Sequence, residues 1–318
     1  MKLPFPGRLL ALAVISSLSL ALPFSAAQAE EKPKVALVMK SLANEFFRTM
    51  EDGAKDYQKG HANEFDLVAN GIKNETDTGE QIKIVEQMIS SGVNALVIAP
   101  ADSKALVPVL KKAMDAKIVV VNIDNRLDPD VLKSKQISVP FVGPDNRKGA
   151  RLVGDYLASQ KLKAGDQIGI IEGVPTTTNA QQRTAGFKDA MDAAGMKIVS
   201  VQSGNWEIDK GNAVAASMLN EYPDLKALLA GNDSMALGAV SAVRAAGKTG
   251  QVQVVGYDNI NAIKPMLKDG RVLATLDQAA SQQAVYGIQA ALQVLKGEKP
   301  NVDADNVIQT PVQLITQP

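Results

Sequence analysis

The sequence predicts an α/β protein of two doubly wound parallel-sheet domains, joined by a hinge of three segments with a ligand cleft between them. Three observations predict it. Apolar, β-branched runs recur roughly every 30 residues, the length of a βαβ unit. The runs form two successive arrays of the same plan, and run after run ends in a cluster of Asp, Asn, Gln or Arg. Ligands of open α/β sheets sit at the carboxyl ends of the strands, so such clusters mark the side that faces a ligand.

The first element is the valine-rich run Lys34 to Met39, read as a strand buried on both faces. Phe47, Met50, Ala54 and Tyr57 follow at helical spacing. Between them the corner Lys40-Ser41-Leu42-Ala43-Asn44 joins a strand's end to a helix's start. Further strand-like runs begin near Asp66, Asn94 and Lys117, with helices over Gly79–Ser91 and Lys104–Asp115. A second array has strands at 167–171, 197–201, 227–230 and 251–255, and helices around 181–194, 210–221 and 234–246. Phe141-Val142-Gly143-Pro144 marks the boundary, because a strand-like run there meets glycine and proline. A last amphipathic helix, Ala279 to Leu295, is left over from the second array. If it returns to the first domain, several segments cross and form the hinge. The expected lobes are therefore 30–143 plus 279–309, and 144–278 plus 310–318.

Residues 1–29 read as a cleavable export signal. Lys2 and Arg8 precede the mostly apolar Leu9–Phe24, and Ala27-Gln28-Ala29 gives a small-x-small cleavage site. An uncleaved anchor fits less well, since serines and Pro23 break the short run. The chain of 318 residues has no cysteine, hence neither disulfides nor a lipidated terminal cysteine, and a bacterial periplasm fits best. His61 is the sole histidine, which excludes Ser-His-Asp and Cys-His catalysis and multi-histidine metal sites. With 34 basic and 34 acidic residues, the chain is no polyanion binder, and nucleic acid is not a predicted partner. There is no Gly-x-x-x-x-Gly-Lys-Ser/Thr run to hold a nucleotide. No cofactor and no metal are expected.

The candidate site residues are the polar groups and rings near strand ends. Lys40 offers an ammonium, Asn44 a carboxamide, and Phe46 and Phe47 ring faces that suit the C–H side of a sugar. Asn122-Ile123-Asp124-Asn125-Arg126, Gly231-Asn232-Asp233, Tyr257-Asp258-Asn259 and Leu276-Asp277-Gln278 end later strands. Carboxylates and carboxamides serve several hydroxyls at once, so this mixture suits a sugar. Each Asp or Asn could equally be a cap or turn former; Asp233, just before a helix, reads better as a cap. Trp206, the one tryptophan, lies in the polar loop Gly204-Asn205-Trp206-Glu207 and reads as a lid over a ligand, with a core role as the alternative.

The segments SLANEFF (Ser41–Phe47), NIDNR (Asn122–Arg126), GVPTTTNAQQRTAGF (Gly173–Phe187), GNDSMALGA (Gly231–Ala239), VVGYDN (Val254–Asn259) and ATLDQ (Ala274–Gln278) together resemble the periplasmic sugar-binding proteins of the ribose and allose type. These feed ABC importers and share a fold with the sensor domains of lac-type repressors. The resemblance runs from about Lys34 to the carboxyl terminus and implies the type I periplasmic binding protein fold. It implies that Asn44, Phe46, Phe47 and Asp124 hold one side of the ligand, and Arg183, Trp206, Asn232, Asp258 and Gln278 the other. Lys40 stands where the allose type has lysine and the ribose type a small hydroxyl residue. Asn125 stands where the ribose type has arginine and the allose type glutamate, and Arg126 is the alternative to it. The implied ligand is a ribose-type pentose, with an allose-like hexose or a sugar alcohol as alternatives. The implied partners of this monomer are a membrane permease with its ATPase, and a chemoreceptor. A sugar-sensing regulator would need a helix-turn-helix and a basic face. A glycosidase using Asp124 and Asp258 would need one of the pair held protonated.

Overall fold

The computed structural model describes residues 1–3 and 31–317, so the predicted leader lies outside the described residues apart from its first three. The chain divides into Met1–Glu31 and Lys32–Pro318, and both sheets belong to the second unit. The first array runs β1 (Lys34–Ser41), α1 (Glu45–Gly60), β2 (Asp66–Ile72), α2 (Thr78–Ser90), β3 (Ala95–Ile98), α3 (Val107–Asp115), β4 (Val119–Ile123), α4 (Pro129–Ser134) and β5 (Phe141–Gly143). The second runs α5 (Asn146–Lys161), β6 (Gln167–Glu172), α6 (Thr178–Ala193), β7 (Lys197–Ser203), α7 (Ile208–Glu221), β8 (Leu225–Ala230), α8 (Asp233–Ala245), β9 (Gln253–Val255), α9 (Lys264–Lys268) and β10 (Ala274–Asp277). The chain ends with α10 (Ala280–Leu295), β11 (Val307–Gln309) and β12 (Gln313–Thr316).

Two six-stranded sheets result, in the orders β11-β5-β4-β3-β1-β2 and β12-β10-β9-β8-β6-β7. Every pairing is parallel except that of β10 with β12. In both sheets the order reverses beside the first strand of the array, which opens a crevice at the strand ends. The central strands are buried on both faces: β3 has no exposed residue and β1 only Lys34. Helices α1 and α10 pack together on one face of the first sheet, and α2 with α3 on the other; α5 with α6 and α7 with α8 cover the second. Fully buried side chains such as Phe47, Met50 and Leu37 each contribute roughly 1.5–3 kcal/mol to holding these layers.

The chain crosses between the sheets three times, from β5 into α5, from β10 into α10, and from β11 to β12. At the second crossing Ala279 is left-handed, with φ 58°, and its N–H donates to the Asp277 carboxylate.

Some elements start later than their apolar patterns. The Asp102 carboxylate accepts from the N–H groups of Lys104 and Ala105, closing a separate turn, so α3 begins at Val107 rather than Lys104. Left-handed Lys117, φ 66°, delays β4 to Val119. Gln251 donates its N–H to Lys248, so β9 begins at Gln253.

Candidate functional site

The carboxyl ends of both sheets' strands converge on one small cavity. The first lobe lines it with Lys40, Asn44, Phe46, Phe47, Glu75 and Asp124, and the second with Asn179, Arg183, Trp206, Asn232, Asp258 and Gln278.

Local backbone geometry aims these groups. Asp124 (φ 61°), Trp206 (φ 67°) and Asp258 (φ 122°) all have positive φ. Such strain costs of order 1–3 kcal/mol per residue and collects at ligand clamps. Asn44 and Asn232 cap α1 and α8, accepting from the N–H groups of Phe46 and Met235. The same capping geometry turns their amide groups into the cavity wall: Asn44 donates to Glu75 at 2.9 Å, and Asn232 to the Trp206 carbonyl at 3.2 Å.

Lys40, only 3% exposed, stands between two carboxylates, its Nζ 3.7 Å from Glu75 and 3.5 Å from Asp124. It also lies 5.3 Å from the centre of the Phe47 ring and 5.4 Å from that of Trp206. Phe46 and Phe47 meet edge to face, 5.1 Å apart. Across the cavity, Arg183 is fixed by donating to Asn146 at 2.7 Å and to the Gly231 carbonyl at 3.0 Å, and it stacks 3.8 Å over the Tyr257 ring. Its guanidinium lies 3.5 Å from Asp258, which also accepts from Gln278 at 2.6 Å. Trp206 fits because Gly173 has no side chain: a Cβ there would overlap ring atoms Cε2, Cζ2 and Cη2.

Four lining atoms are buried without a hydrogen bond: Glu75 Oε2 and Asp124 Oδ2, which have only the more distant Lys40 ammonium, and Arg183 Nη2 and Trp206 Nε1. Two accept and two donate. A buried polar atom costs about 1–3 kcal/mol unless paired, and hydroxyls, which donate and accept, answer both kinds. Burial pushes the Glu75 carboxyl up to about 7, against the pull of Lys40 and the Asn44 hydrogen bond. Burial likewise pushes Asp258 up to about 7, opposed by Arg183. Among the described residues, no group of three or more His, Cys, Asp or Glu is placed to hold a metal ion.

Ten of the eleven residues expected from the sequence line the cavity. Asn125 does not. Its carboxamide donates to the Pro100 carbonyl and accepts from Ser103 and from the Asn179 N–H, so both its nitrogen and its oxygen are engaged within the protein. Arg126 also turns away, donating to the Asp305 carbonyl and lying over Phe141. The helix cap expected of Asp233 belongs to its neighbour Asn232. Asp233 is instead buried beneath the 257–260 loop, accepting from Ile260 N–H at 3.0 Å and from the Thr275 hydroxyl at 2.7 Å. Trp206, read as a lid, is 3% exposed and serves both as cavity wall and as core. Glu75 and Asn179 went unforeseen. Glu75 lies just past the end of β2, so the strand-end rule applied to Lys73-Asn74-Glu75 would have found it.

This fold and this cleft define a two-lobed binding protein, and the sequence comparison agrees: residues 35–299 match the model of the periplasmic binding protein domain. The chain belongs to that family, whose proteins work in the periplasm. It is 75% identical, over the full length of both chains, to the D-ribose/D-allose-binding protein of Pseudomonas aeruginosa. It is 32% identical to the ribose import binding protein of Escherichia coli, over 90% of this chain and 92% of that one. Among solved structures, an ABC transporter solute-binding protein of Burkholderia multivorans has 74% identity and a TM-score of 0.87, covering 90% of this chain and all of that one. One from Actinobacillus succinogenes with bound D-allose has 34% identity and a TM-score of 0.83, covering 90% of this chain and 98% of that one.

Proposed function

We propose that this protein is the periplasmic solute-binding component of an ABC importer, taking D-ribose and D-allose in one cleft and delivering them to a membrane permease with its ATPase. The observation that carries the reading is the cavity itself. It is small, built from both lobes, walled by Phe46, Phe47 and Trp206, and furnished with buried acceptors and donors that make no hydrogen bond within the protein. Ring faces suit the C–H surfaces of a sugar, and the mixed polar atoms suit its hydroxyls. Lys40, Asn44, Asp124, Arg183, Asn232, Asp258 and Gln278 are the polar contacts in this reading, with Glu75 and Asn179 added to them. Binding, not bond cleavage, is the activity.

The lobes 30–143 plus 279–309 and 144–278 plus 310–318 turn about the three crossings, and a ligand that touches both stabilises the closed arrangement. The closed monomer is the form read by the permease, and by a chemoreceptor. Export relies on the leader, cleaved after Ala29. Calorimetric titration of unfolded and refolded protein against pentoses, hexoses and polyols tests the reading. Saturable binding of D-ribose and D-allose is expected. Binding of neither, or release of aglycone from an aryl glycoside, would overturn it.

A further inference from the structure

Helix α6 opens the second lobe's side of the cleft, and its N-cap side chain does not cap it. A helix leaves its first N–H groups without intrahelical partners, and a side chain at the N-cap ordinarily accepts from one of them. At α6 the N-cap is Thr177, whose side chain makes no such bond and donates to the Val174 carbonyl instead. The Asn179 side chain accepts from the third N–H, that of Ala180, at 2.9 Å, and the partners of the first two come from the other lobe. The Thr178 N–H donates to Ser103 Oγ at 2.9 Å, and the Asn179 N–H donates to Asn125 Oδ1 at 3.3 Å. The Thr178 hydroxyl donates to Ser103 Oγ at 3.0 Å, and the Ser103 hydroxyl in turn donates to Asn125 Oδ1 at 3.2 Å. Ser103 Oγ thereby uses both acceptor sites and its one donor. Asn125 is wholly buried and Ser103 2% exposed. On the first lobe the Asn125 amide is anchored by the Pro100 carbonyl at 2.9 Å.

From this we infer that Ser103 and Asn125 act as a cap on α6 supplied from the opposite lobe, and so set the closing equilibrium of the cleft without touching the ligand. Opening the cleft removes the cap and leaves the first N–H groups of α6 to water. The contact is made only in the closed arrangement, so it adds to the affinity for every ligand alike. Glu45 makes a similar bond at another edge of the cleft, accepting from the N–H groups of Asn261 and Ala262 at 2.8 and 3.2 Å. Ser103 and Asn125 are therefore positioning residues: they scale affinity, while the cavity lining selects the sugar.

The inference rests on the sugar-binding reading for one arm of its test and is independent of it in the other. In the first arm, D-ribose and D-allose are titrated against the parent, Ser103→Ala, Thr178→Val and the double variant. Thr178→Val loses one hydrogen bond across the cleft and Ser103→Ala loses two, which predicts affinity about 2- to 12-fold weaker for the first and about 5- to 150-fold weaker for the second. Both sugars should lose the same factor. The double variant should be no weaker than Ser103→Ala alone, because the Thr178 hydroxyl bond has already gone. In the second arm, the chain's lack of cysteine lets Lys133→Cys and Lys188→Cys carry spin labels, one on each lobe. Without sugar, the parent should show a closed fraction that Ser103→Ala and Thr178→Val reduce. An altered ribose-to-allose ratio would overturn the inference, as would parental affinity in both single variants or identical distance distributions in all the proteins. If the parent binds neither sugar, the functional reading fails and the distance arm alone decides on the cap.

Discussion

Gly173→Ala isolates the role of Trp206, because it adds one methyl group and changes no polar atom. Gly173 has no positive φ, so alanine is tolerated by the backbone and only the added carbon matters. That carbon would lie far inside the ~3.5–4.0 Å at which carbons normally meet, overlapping three atoms of the Trp206 ring. The ring has little freedom to give way. Asn205 and Trp206 are held at φ 49° and 67°, and a Cβ at Gly231 would already lie 3.2 Å from ring atom Cζ3. The remaining direction is into the cavity, toward Lys40 and Arg183, whose charged groups lie 5.4 Å from the ring centre. Overpacking of this kind costs about 1–3 kcal/mol. Borne by the closed, occupied cleft, it weakens binding about 5- to 150-fold. Titration with D-ribose gives the affinity, thermal unfolding reports whether the fold survives, and emission from the single tryptophan reports the ring's surroundings. Affinity within twofold of the parent, with unchanged emission, would refute the placement of Trp206 as a wall of the sugar site.

Three further outcomes follow from the charges in the cavity. Asp124→Ala removes an acceptor whose Oδ2 makes no hydrogen bond within the protein; at about 1.5–3 kcal/mol per bond to a charged group, two lost bonds weaken D-ribose at least a hundredfold, and an affinity within threefold would exclude Asp124 from ligand contact. Lys40→Met leaves Glu75 and Asp124 facing each other without a cation. Affinity should fall at least tenfold at high pH and recover in part as pH falls and Glu75 takes a proton, at a higher pH than in the parent because the lowering pull of Lys40 is gone, whereas a pH-independent loss would mean that Lys40 only donates to the ligand. In sugar-free protein, Glu75 and Asp258 hold protons up to about pH 7, where unfolded carboxyls release them near pH 4. The stability they contribute is complete below about pH 4 and lost as pH rises through 7, and buried Asp233 shifts in the same direction. Urea unfolding should therefore show the parent losing more stability than Glu75→Gln between pH 5 and 8; equal losses would refute the assignment for Glu75.

What the sequence could and could not reveal divides along physical lines. The sheets were legible because a parallel strand buried on both faces must be a continuous apolar run, as Val35–Met39 and Ala95–Ile98 are. β2 is an edge strand, and its exposed Val68 and its Asn70 and Gly71 blur that pattern. Its end was correspondingly hard to locate, and Glu75 went with it. The polar residues at a strand end pose a different problem, since Asp and Asn serve equally as caps, turn formers and ligand contacts.

Which of several adjacent Asx residues faces the cavity is decided by backbone dihedrals that residue type alone does not set. In 122–125, Asn122 accepts from the Leu127 N–H and donates to the Asn125 carbonyl, closing the loop on itself. The left-handed turn at Asp124, φ 61°, then sends that one carboxylate to the cavity and Asn125 in another direction, across the cleft to α6. At 232–233 the displacement is by a single residue. Asn232 is extended, at φ −149°, and takes the cap, while Asp233 is the first helical residue and lies under Ile260 and Thr275. Successive helical residues point about 100° apart, so a cap placed one position late exchanges a cavity residue for a buried one. The composition of each strand end thus reports that a polar site is built there, and the sign of φ at one residue within it determines which side chain the ligand meets.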